Sequence, residues 1–241
     1  MNTTFVLLHG ANGSAEAIKP LAQALQPHAA KLVLPNLLGH GGRRLVHGLS
    51  IPAMATDLLE QLDRSGIGRA AFVGYSLGGY LGLYLARHHP DRVAALCTIA
   101  TKYVLDDAAL DHFLLLADAD RIAARNPPRP AQLTREHHPQ DWRQVLQQNR
   151  EMFAGLRGQA LLPEEALQSM RVPALVVSGT GDQLVSRAES ERLGQLLSCD
   201  VLLFPGPAHP IDAVPLHGLA GILGRWLQQP RPLAELQDGN G

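Results

Sequence analysis

Six short runs of apolar residues recur along this chain, and they constrain its fold more than any other feature. They are almost continuously apolar rather than alternating, which is typical of parallel strands buried on both faces of a sheet. The runs cover residues 5–10, 31–36, 70–75, 93–100, 174–181 and 200–206. Amphipathic segments with helix-start signals occupy residues 14–26, 52–64, 77–89, 187–197 and 215–228. This alternation predicts an α/β fold with a doubly wound, mostly parallel sheet of about six strands and right-handed crossovers.

The segment 101–170 interrupts the alternation, because it has several helical patterns and no convincing strand. The clearest pattern is 139–156, where apolar residues from Trp142 to Leu156 recur at helical spacing. The segment is either a packed structural excursion or a lid. Its position after a strand favours a lid, since binding loops concentrate at the carboxyl ends of such sheets. We therefore expect a core formed by residues 1–100 and 171–229, a helical lid inserted at 101–170, and a flexible tail at 230–241.

Composition limits the kinds of partner this chain can have. Hydrophobic residues make up 46% of its 241 residues, which is enough to bury the core of one domain. The net charge of −1 offers no electrostatic case for nucleic acid or an anionic membrane, and no apolar run is long enough to span a bilayer. Cys97 lies in a predicted strand and Cys199 directly precedes one, as buried thiols of a reducing compartment do. The N-terminus lacks a signal-peptide pattern. We expect a soluble, cytoplasmic protein that acts on a small molecule.

The motif GYSLGG, residues 74–79, places Ser76 between a predicted strand and a predicted helix. The pattern G-x-S-x-G in this context is typical of a nucleophile elbow. There the serine adopts a strained backbone, and small neighbours let the strand and the helix approach each other. The alternative is a turn that uses glycine only for its backbone freedom. The flanking strand and helix favour the nucleophile.

A serine hydroxyl needs a base and an acid that orients the base. Among the eleven histidines, His209 follows the last predicted strand, where the catalytic groups of an open parallel sheet lie. Asp182 ends the fifth predicted strand at the same edge, although a loop-capping role is its alternative. The chain order Ser76, Asp182, His209 is the order that this kind of elbow uses. These three residues are the predicted catalytic set.

An oxyanion hole requires two fixed N–H donors. We expect one donor to be the backbone N–H of Leu77, directly after the nucleophile. The other is the backbone N–H of Ala11, in the glycine-rich loop 9–14. The alternative for that loop is a phosphate cradle, but it has neither G-x-G-x-x-G nor a Walker lysine. The adjacent pair His137 and His138 lacks a third ligand at zinc spacing, so no metal and no cofactor are predicted.

Several segments, taken in order, resemble the landmarks of the α/β-hydrolase fold superfamily. They are VLLHGANGS, GHGG (39–42), VGYSLGG, SGTGDQLV (178–185) and GPAHP, and together they span residues 5 to 210. The resemblance implies an esterase-like serine hydrolase with the triad, oxyanion donors and lid given above. The chain departs from the family in lacking the usual antiparallel strand pair before the first strand, and in having Asn36 where an acid is usual. Thr101 and Lys102 occupy the alternative position of the catalytic acid, which supports Asp182.

The predicted activity is hydrolysis of a carboxylic ester or thioester by way of an acyl-enzyme. The same triad could instead hydrolyse a carbon–carbon bond or perform perhydrolase or elimination chemistry. A non-catalytic receptor for a small ligand is the alternative of another class, because fold alone does not fix function.

Candidate pocket residues lie near the elbow and in the insertion. An apolar stripe more often packs than contacts ligand, so some of the insertion residues belong to its core. Substrate identity and oligomeric state stay open. The candidates are Asn12, Tyr75, Tyr103, His112, Phe113 and Trp142, with Met152 and Phe153 beside them.

Overall fold

The computed structural model describes residues 3–230, 232, 233 and 235. Within this part of the chain, six strands form one parallel sheet: β1 (Thr4–Leu8), β2 (Lys31–Val33), β3 (Ala70–Tyr75), β4 (Val93–Ile99), β5 (Ala174–Gly179) and β6 (Asp200–Phe204). They follow the order β2-β1-β3-β4-β5-β6, and every neighbouring pair is parallel. The predicted six-strand, mostly parallel α/β sheet is confirmed.

Helices join these strands. In the described residues they are α1 (Ala15–Leu25), α2 (Ile51–Arg64), α3 (Leu77–His88), α4 (Asp107–Leu116), α5 (Ala119–Arg125), α6 (Arg129–His137), α7 (Trp142–Gly155), α8 (Glu164–Ser169), α9 (Arg187–Leu197) and α10 (Leu216–Gln228). Side chains cap several N-termini: Ser14 caps α1 and Ser50 caps α2, each by accepting a backbone N–H of the first turn. None of the described helices has the length and apolar character that crossing a bilayer requires.

The sheet is buried on both faces, which explains why its strands are continuously apolar. Phe5 and Leu7 of β1 pack on the side covered by α1 and α10. Val6 and Leu8 pack on the opposite side, against α2, α3 and α9. Successive strand residues point to opposite faces, so both sets must be apolar when both faces are covered.

The chain changes direction across the sheet between β1 and β3. From β1 it passes to β2 on one side, and it then returns to β3 on the other side. Such a reversal opens a crevice beyond the carboxyl ends of the two strands. The loop that begins at His9 and the turn at Ser76 both start at this crevice.

Between β4 and β5 the chain forms the helical insertion, which contains α4 to α8. Residues 107–125 form two helices, α4 and α5, because Asp118 caps a new helix by accepting the N–H of Arg121. Only residues 126–128 separate α5 from α6, which starts at Arg129. Most of the predicted flexible tail, 230–241, lies outside the described residues.

Candidate active site

Ser76 lies between β3 and α3 with φ of 53° and ψ of −117°. This combination is rare for any residue other than glycine, and strained backbone of this kind is found at functional sites. The N–H of Ser76 donates to the carbonyl oxygen of Ile99 on the neighbouring strand at 2.9 Å, which holds the turn in place. The chain therefore has at this junction the sharp, strained turn that the motif predicts.

The glycines around Ser76 allow backbone segments to touch. A Cβ atom on Gly74 would collide with the backbone of Gly78, at the start of α3. A Cβ atom on Gly78 would collide with the carbonyl oxygens of Leu8 and His9, at the end of β1. Neither position can carry a larger residue without displacing backbone, so the spacing of the glycines follows from the close packing of strand and helix.

Ser76, His209 and Asp182 are joined by hydrogen bonds although they lie far apart in the sequence. The Nε2 atom of His209 is 3.1 Å from Ser76 Oγ, and its Nδ1 atom is 2.8 Å from Asp182 Oδ2. Because an ionised carboxylate only accepts, Nδ1 carries the proton and Nε2 is free to accept from the serine hydroxyl. The side chain of His209 is 16% exposed and that of Asp182 is fully buried. This arrangement can deprotonate a serine hydroxyl as it attacks.

Asp182 is held as a charged, oriented acceptor. Its Oδ1 accepts the N–H groups of Leu184 and Val185 at 2.8 and 3.0 Å, and its Oδ2 accepts the N–H of Ala208 at 3.2 Å. Burial raises the pKa of Asp182, but the hydrogen bond and charge of His209, together with the backbone donors, outweigh burial and hold that pKa below its usual value. The carboxylate is therefore ionised at neutral pH.

Tyr75 supports the histidine from the side. Its ring lies 5.2 Å from the ring of His209, measured between centroids. Burial, together with the negative charges of Asp182 and Asp212, raises the pKa of Tyr75, so its hydroxyl stays neutral. The tyrosine ring therefore packs beside the imidazole, tilted by 43°, without adding charge there.

Both predicted oxyanion donors lie beside Ser76. Leu77 is the first residue of α3, so its N–H has no carbonyl partner within the helix. Ala11 follows Gly10, and a Cβ atom built on Gly10 would lie 3.3 Å from the Cβ of Ser76. Ala11 and Leu77 line the same cavity as Ser76. Their role as donors stays a prediction.

A cavity of about 120 Å³ opens above Ser76 and is lined mostly by apolar side chains. Helices α4 and α7 of the insertion contribute Phe113 and Phe153, whose ring centroids are 4.9 Å apart. Asn12 and Tyr75, both predicted pocket residues, also line it. The helical insertion therefore forms part of the wall around the candidate nucleophile.

Four residues expected in the pocket lie elsewhere. Tyr103 is buried and donates its hydroxyl to Glu164 at 3.3 Å. His112 is exposed on α4. Trp142 packs in a separate apolar cluster with Leu133, within the insertion. Met152 is buried in the apolar core. For His112, Trp142 and Met152 the periodicity identified a helical residue but could not say which neighbour that residue meets. Tyr103 precedes α4, in a segment that is neither helix nor strand.

Sequence reasoning also missed residues that line the cavity. Tyr80 lies four residues after Ser76, which is one helical turn along α3, and this spacing could have identified it. Lys102 lies at the cavity wall, where its Nζ forms an ion pair with Glu189 at 2.5 Å. The other missed lining residues are Ile51, Leu105, Leu116, Leu156 and Leu184.

The amino-acid sequence is similar to a known family and to several curated proteins. A profile of the family described as alpha/beta hydrolase fold matches residues 3–161. A provisionally named carbamate hydrolase, RutD, of Caulobacter sp. strain K31 is 31% identical over 215 residues, which cover 80% of this chain and 78% of that protein. A pimeloyl-(acyl-carrier protein) methyl ester esterase of Vibrio vulnificus strain YJ016 is 34% identical over 96 residues, which cover 40% of this chain and 36% of that protein.

The fold is also similar to solved structures. The enol-lactonase of Burkholderia xenovorans LB400 superimposes with a TM-score of 0.71 at 19% sequence identity, and the match covers 95% of this chain and 92% of that chain. At this level of identity the likeness concerns the fold alone.

Proposed function

Because this chain belongs to the α/β-hydrolase fold family, whose profile spans more than half of it, we propose that it hydrolyses a carboxylic ester or thioester of a small molecule. The observation that carries the proposal is the continuous hydrogen-bonded path from Ser76 Oγ through His209 to Asp182, at the floor of an apolar cavity. In this proposal residues 1–100 and 171–229 form the catalytic core, and residues 101–170 act as the lid.

In the first half of the reaction, Ser76 Oγ attacks the carbonyl carbon while His209 Nε2 takes its proton. The charge of Asp182 stabilises the imidazolium that forms, and the carboxylate keeps its own charge throughout. The N–H groups of Leu77 and Ala11 stabilise the developing oxyanion. His209 then protonates the departing alcohol or thiol, which leaves Ser76 acylated.

In the second half, a water molecule attacks the acyl-enzyme and His209 takes a proton from it. The tetrahedral intermediate collapses, the carboxylic acid departs, and the proton returns from His209 to Ser76 Oγ. Each step uses the same short path between the two side chains, 3.1 Å between Nε2 and Oγ.

Cavity size narrows the substrate class. A cavity of about 120 Å³ is somewhat smaller than the roughly 150 Å³ that accommodates benzene in an apolar protein core. It therefore fits an apolar group of about four to six non-hydrogen atoms. A charged group would lose hydration there without a matched partner, since Lys102 is already paired with Glu189. We accordingly propose a short, apolar acyl group as the buried part of the substrate.

The names of the relatives agree with a reaction at a carbonyl carbon. The Caulobacter relative is provisionally a carbamate hydrolase and the Vibrio relative is a methyl ester esterase. A carbamate and an ester both present an electrophilic carbonyl carbon to a serine. They differ in the substituent on that carbon, which is nitrogen in a carbamate and carbon in an ester. Carbamate hydrolysis is therefore the second candidate and belongs in the same assay.

The test compares wild type with Ser76→Ala on p-nitrophenyl esters of increasing acyl length, and on matching thioesters and an aryl carbamate. We expect turnover of the short esters or thioesters, and a fall of about four orders of magnitude in kcat in the variant with an unchanged circular dichroism spectrum. Ser169→Ala, at an exposed serine on α8, serves as the matched control. Near-normal activity in Ser76→Ala would overturn the catalytic role of that serine.

A second result would overturn the proposal that the protein is an enzyme. If wild type binds short apolar ligands but turns over none of the esters, thioesters or carbamates, the site is a receptor for a small ligand. Labelling of Ser76 by a fluorophosphonate probe would then show only that the serine is nucleophilic, because labelling does not require turnover.

A further inference from the structure

Asn12 connects the loop after β1 to three helices of the insertion. Its side-chain Nδ2 donates to the carbonyl oxygen of Leu116 at the end of α4, at 3.3 Å. Its Oδ1 accepts from Asn149 of α7 at 2.8 Å, and its backbone oxygen is 3.3 Å from the Nε2 of His137 on α6. Asn12 directly follows Ala11 and has φ of 58°, so these contacts fix the backbone next to a proposed oxyanion donor.

Asn149 uses both of its N–H groups at this junction. One donates to Asn12 Oδ1, and the other lies 3.0 Å from His40 Nε2. The Nδ1 of His40 is 2.9 Å from the carbonyl oxygen of Leu38, so this nitrogen carries the ring proton and Nε2 accepts from Asn149. Asn149 is fully buried, and its amide orientation is thus fixed by two acceptors on two core loops.

His137 holds the same two loops together. Its Nδ1 accepts the N–H of Gly41 at 3.1 Å, which leaves the proton on Nε2 for donation to the backbone oxygen of Asn12. His137 is buried. The loop after β1 and the loop containing Gly41 therefore share two insertion residues, His137 and Asn149, as common partners.

The glycines of the segment 39–42 let the insertion approach this closely. A Cβ atom on Gly39 would collide with the side chain of Gln148, and one on Gly42 would collide with the carbonyl oxygen of His138. Both glycines have positive φ. The Nε2 of Gln148 donates to the Gly39 carbonyl oxygen at 2.7 Å. The contact between insertion and core is therefore built from backbone and leaves little room for adjustment.

Packing alone does not account for an amide at position 149. Its Oδ1 is buried and has no hydrogen-bond partner among the described residues. Leaving such an atom unpaired costs about 1–3 kcal/mol, whereas an apolar side chain of similar size would fill the same space without that cost. The two N–H groups are thus the feature of Asn149 that an apolar residue could not supply.

We propose that Asn149 is a positioning residue for the oxyanion hole, acting through Asn12 to hold the Ala11 N–H toward the carbonyl oxygen of the substrate. The proposal rests on the function proposed above. It links α7 to the chemical step although Asn149 does not line the cavity. A misplaced donor weakens transition-state binding more than substrate binding, because the oxyanion exists only in the transition state.

The first test is Asn149→Leu, which keeps the number and branching of the side-chain heavy atoms and removes both N–H groups. Losing one oxyanion donor outright costs roughly 100- to 1000-fold in kcat, so a displaced donor should cost about 10- to 100-fold, with KM changed by less than about twofold. Gln144→Leu, at an exposed position of the same helix, is the control and should keep wild-type kinetics. An unchanged kcat in folded Asn149→Leu would overturn the proposal.

A double-mutant cycle tests the route through Asn12. Asn12→Gly removes the acceptor while tolerating the positive φ, so it should lower kcat as Asn149→Leu does. If Asn149 acts through Asn12, the double variant should be about as slow as the slower single variant. Multiplied effects in the double variant would mean that the two residues act independently, which contradicts the proposal. Asn149→Ala, whose space a water molecule can fill, replaces Asn149→Leu if that variant does not fold.

A readout independent of turnover separates this proposal from the proposed function. Backbone ¹⁵N order parameters at Gly10, Ala11 and Asn12 should fall in Asn149→Leu from about 0.85 toward 0.6 and stay at wild-type values in Gln144→Leu. If wild type hydrolyses no substrate but the order parameters fall in Asn149→Leu, the proposed hydrolase function is refuted, whereas the effect of Asn149 on the loop is supported. If wild type is active and the order parameters stay high in Asn149→Leu, the positioning proposal fails.

Discussion

Ser76 occupies backbone angles that residues with a Cβ atom rarely adopt, and its neighbours are glycines for a separate steric reason. The positive φ of Ser76 belongs to the sharp turn between β3 and α3. Gly78 is required because α3 starts against the carbonyl oxygens at the end of β1. Sequence reasoning found both features, because strand, motif and helix are contiguous in the chain.

Gly78→Ala should therefore destabilise the fold. The added methyl group has backbone rather than a mobile side chain in its way, so we expect the free energy of unfolding to fall by about 1–3 kcal/mol, measured by urea denaturation. Gly155→Ala is the matched control, because a Cβ atom there meets nothing within 4 Å. That control should be neutral or stabilising by up to about 1 kcal/mol. Equal stability of the two variants would contradict the steric argument.

Asp182→Asn tests the proposed role of the acid. An amide in place of the carboxylate neither stabilises an imidazolium nor fixes the proton on Nδ1 of His209, so kcat should fall by roughly 10³- to 10⁴-fold. Asp120→Asn, at a highly exposed aspartate, should leave kcat unchanged. The measurement is steady-state kinetics on the best short ester, with circular dichroism as the check on folding. A loss of less than about tenfold in Asp182→Asn would argue against the triad.

At the scale of elements, helices α4 and α7 set the size of the cavity. Phe113→Ala removes one of two rings that pack against each other and should shift the preferred acyl chain to one that is longer by about two or three carbons. Each methylene that becomes buried adds about 0.8 kcal/mol, or roughly fourfold in kcat/KM. Leu115→Ala, at an exposed neighbour on α4, should keep the wild-type profile. An unshifted acyl-length series for Phe113→Ala would show that this wall does not contact the acyl chain.

The elements themselves could be predicted from the sequence, but their mutual contacts could not. Apolar runs and capping residues act locally, so strands and most helices follow from the pattern. Trp142 and Phe153 lie on one apolar stripe of α7, yet Trp142 packs inside the insertion and Phe153 faces the cavity. The cluster that links Asn12, His40 and Asn149 joins residues separated by as many as 137 positions, and no local signal marks such a contact.

At the scale of the whole molecule, three buried histidines make stability depend on pH. Burial, with the charge of neighbouring histidines, lowers the pKa of His9 to about 3, and burial lowers that of His40 to about 4. Burial also lowers the pKa of His137. Since these folded-state values lie below 6.5, the value of the unfolded chain, the unfolded chain binds more protons in acid. The contribution of these neutral histidines to the free energy of unfolding is complete above about pH 6.5 and is lost as pH falls toward 4.

We expect the free energy of unfolding to drop by about 2 kcal/mol for each of His9 and His40 between pH 7.5 and pH 5. The test is urea denaturation across this range, because the slope against pH is independent of overall destabilisation. His40→Gln should reduce the slope by about 1.1 kcal/mol per pH unit between pH 6 and pH 4.5. His47→Gln, at an exposed histidine, should leave it unchanged. A His40→Gln curve parallel to that of wild type would refute the assignment.

The helical insertion leaves the sheet at β4 and rejoins it at the adjacent strand β5, so its length can vary without disturbing strand order. A different insertion could therefore join the same two strands. The contacts of Asn149 and His137 with Asn12 limit which insertions could replace this one. An insertion without that amide and that imidazole would leave the loop carrying Ala11 without these partners. In the proposed mechanism α7 both lines the cavity and holds the loop that carries Ala11, so changes to α7 that alter acyl preference should also alter kcat.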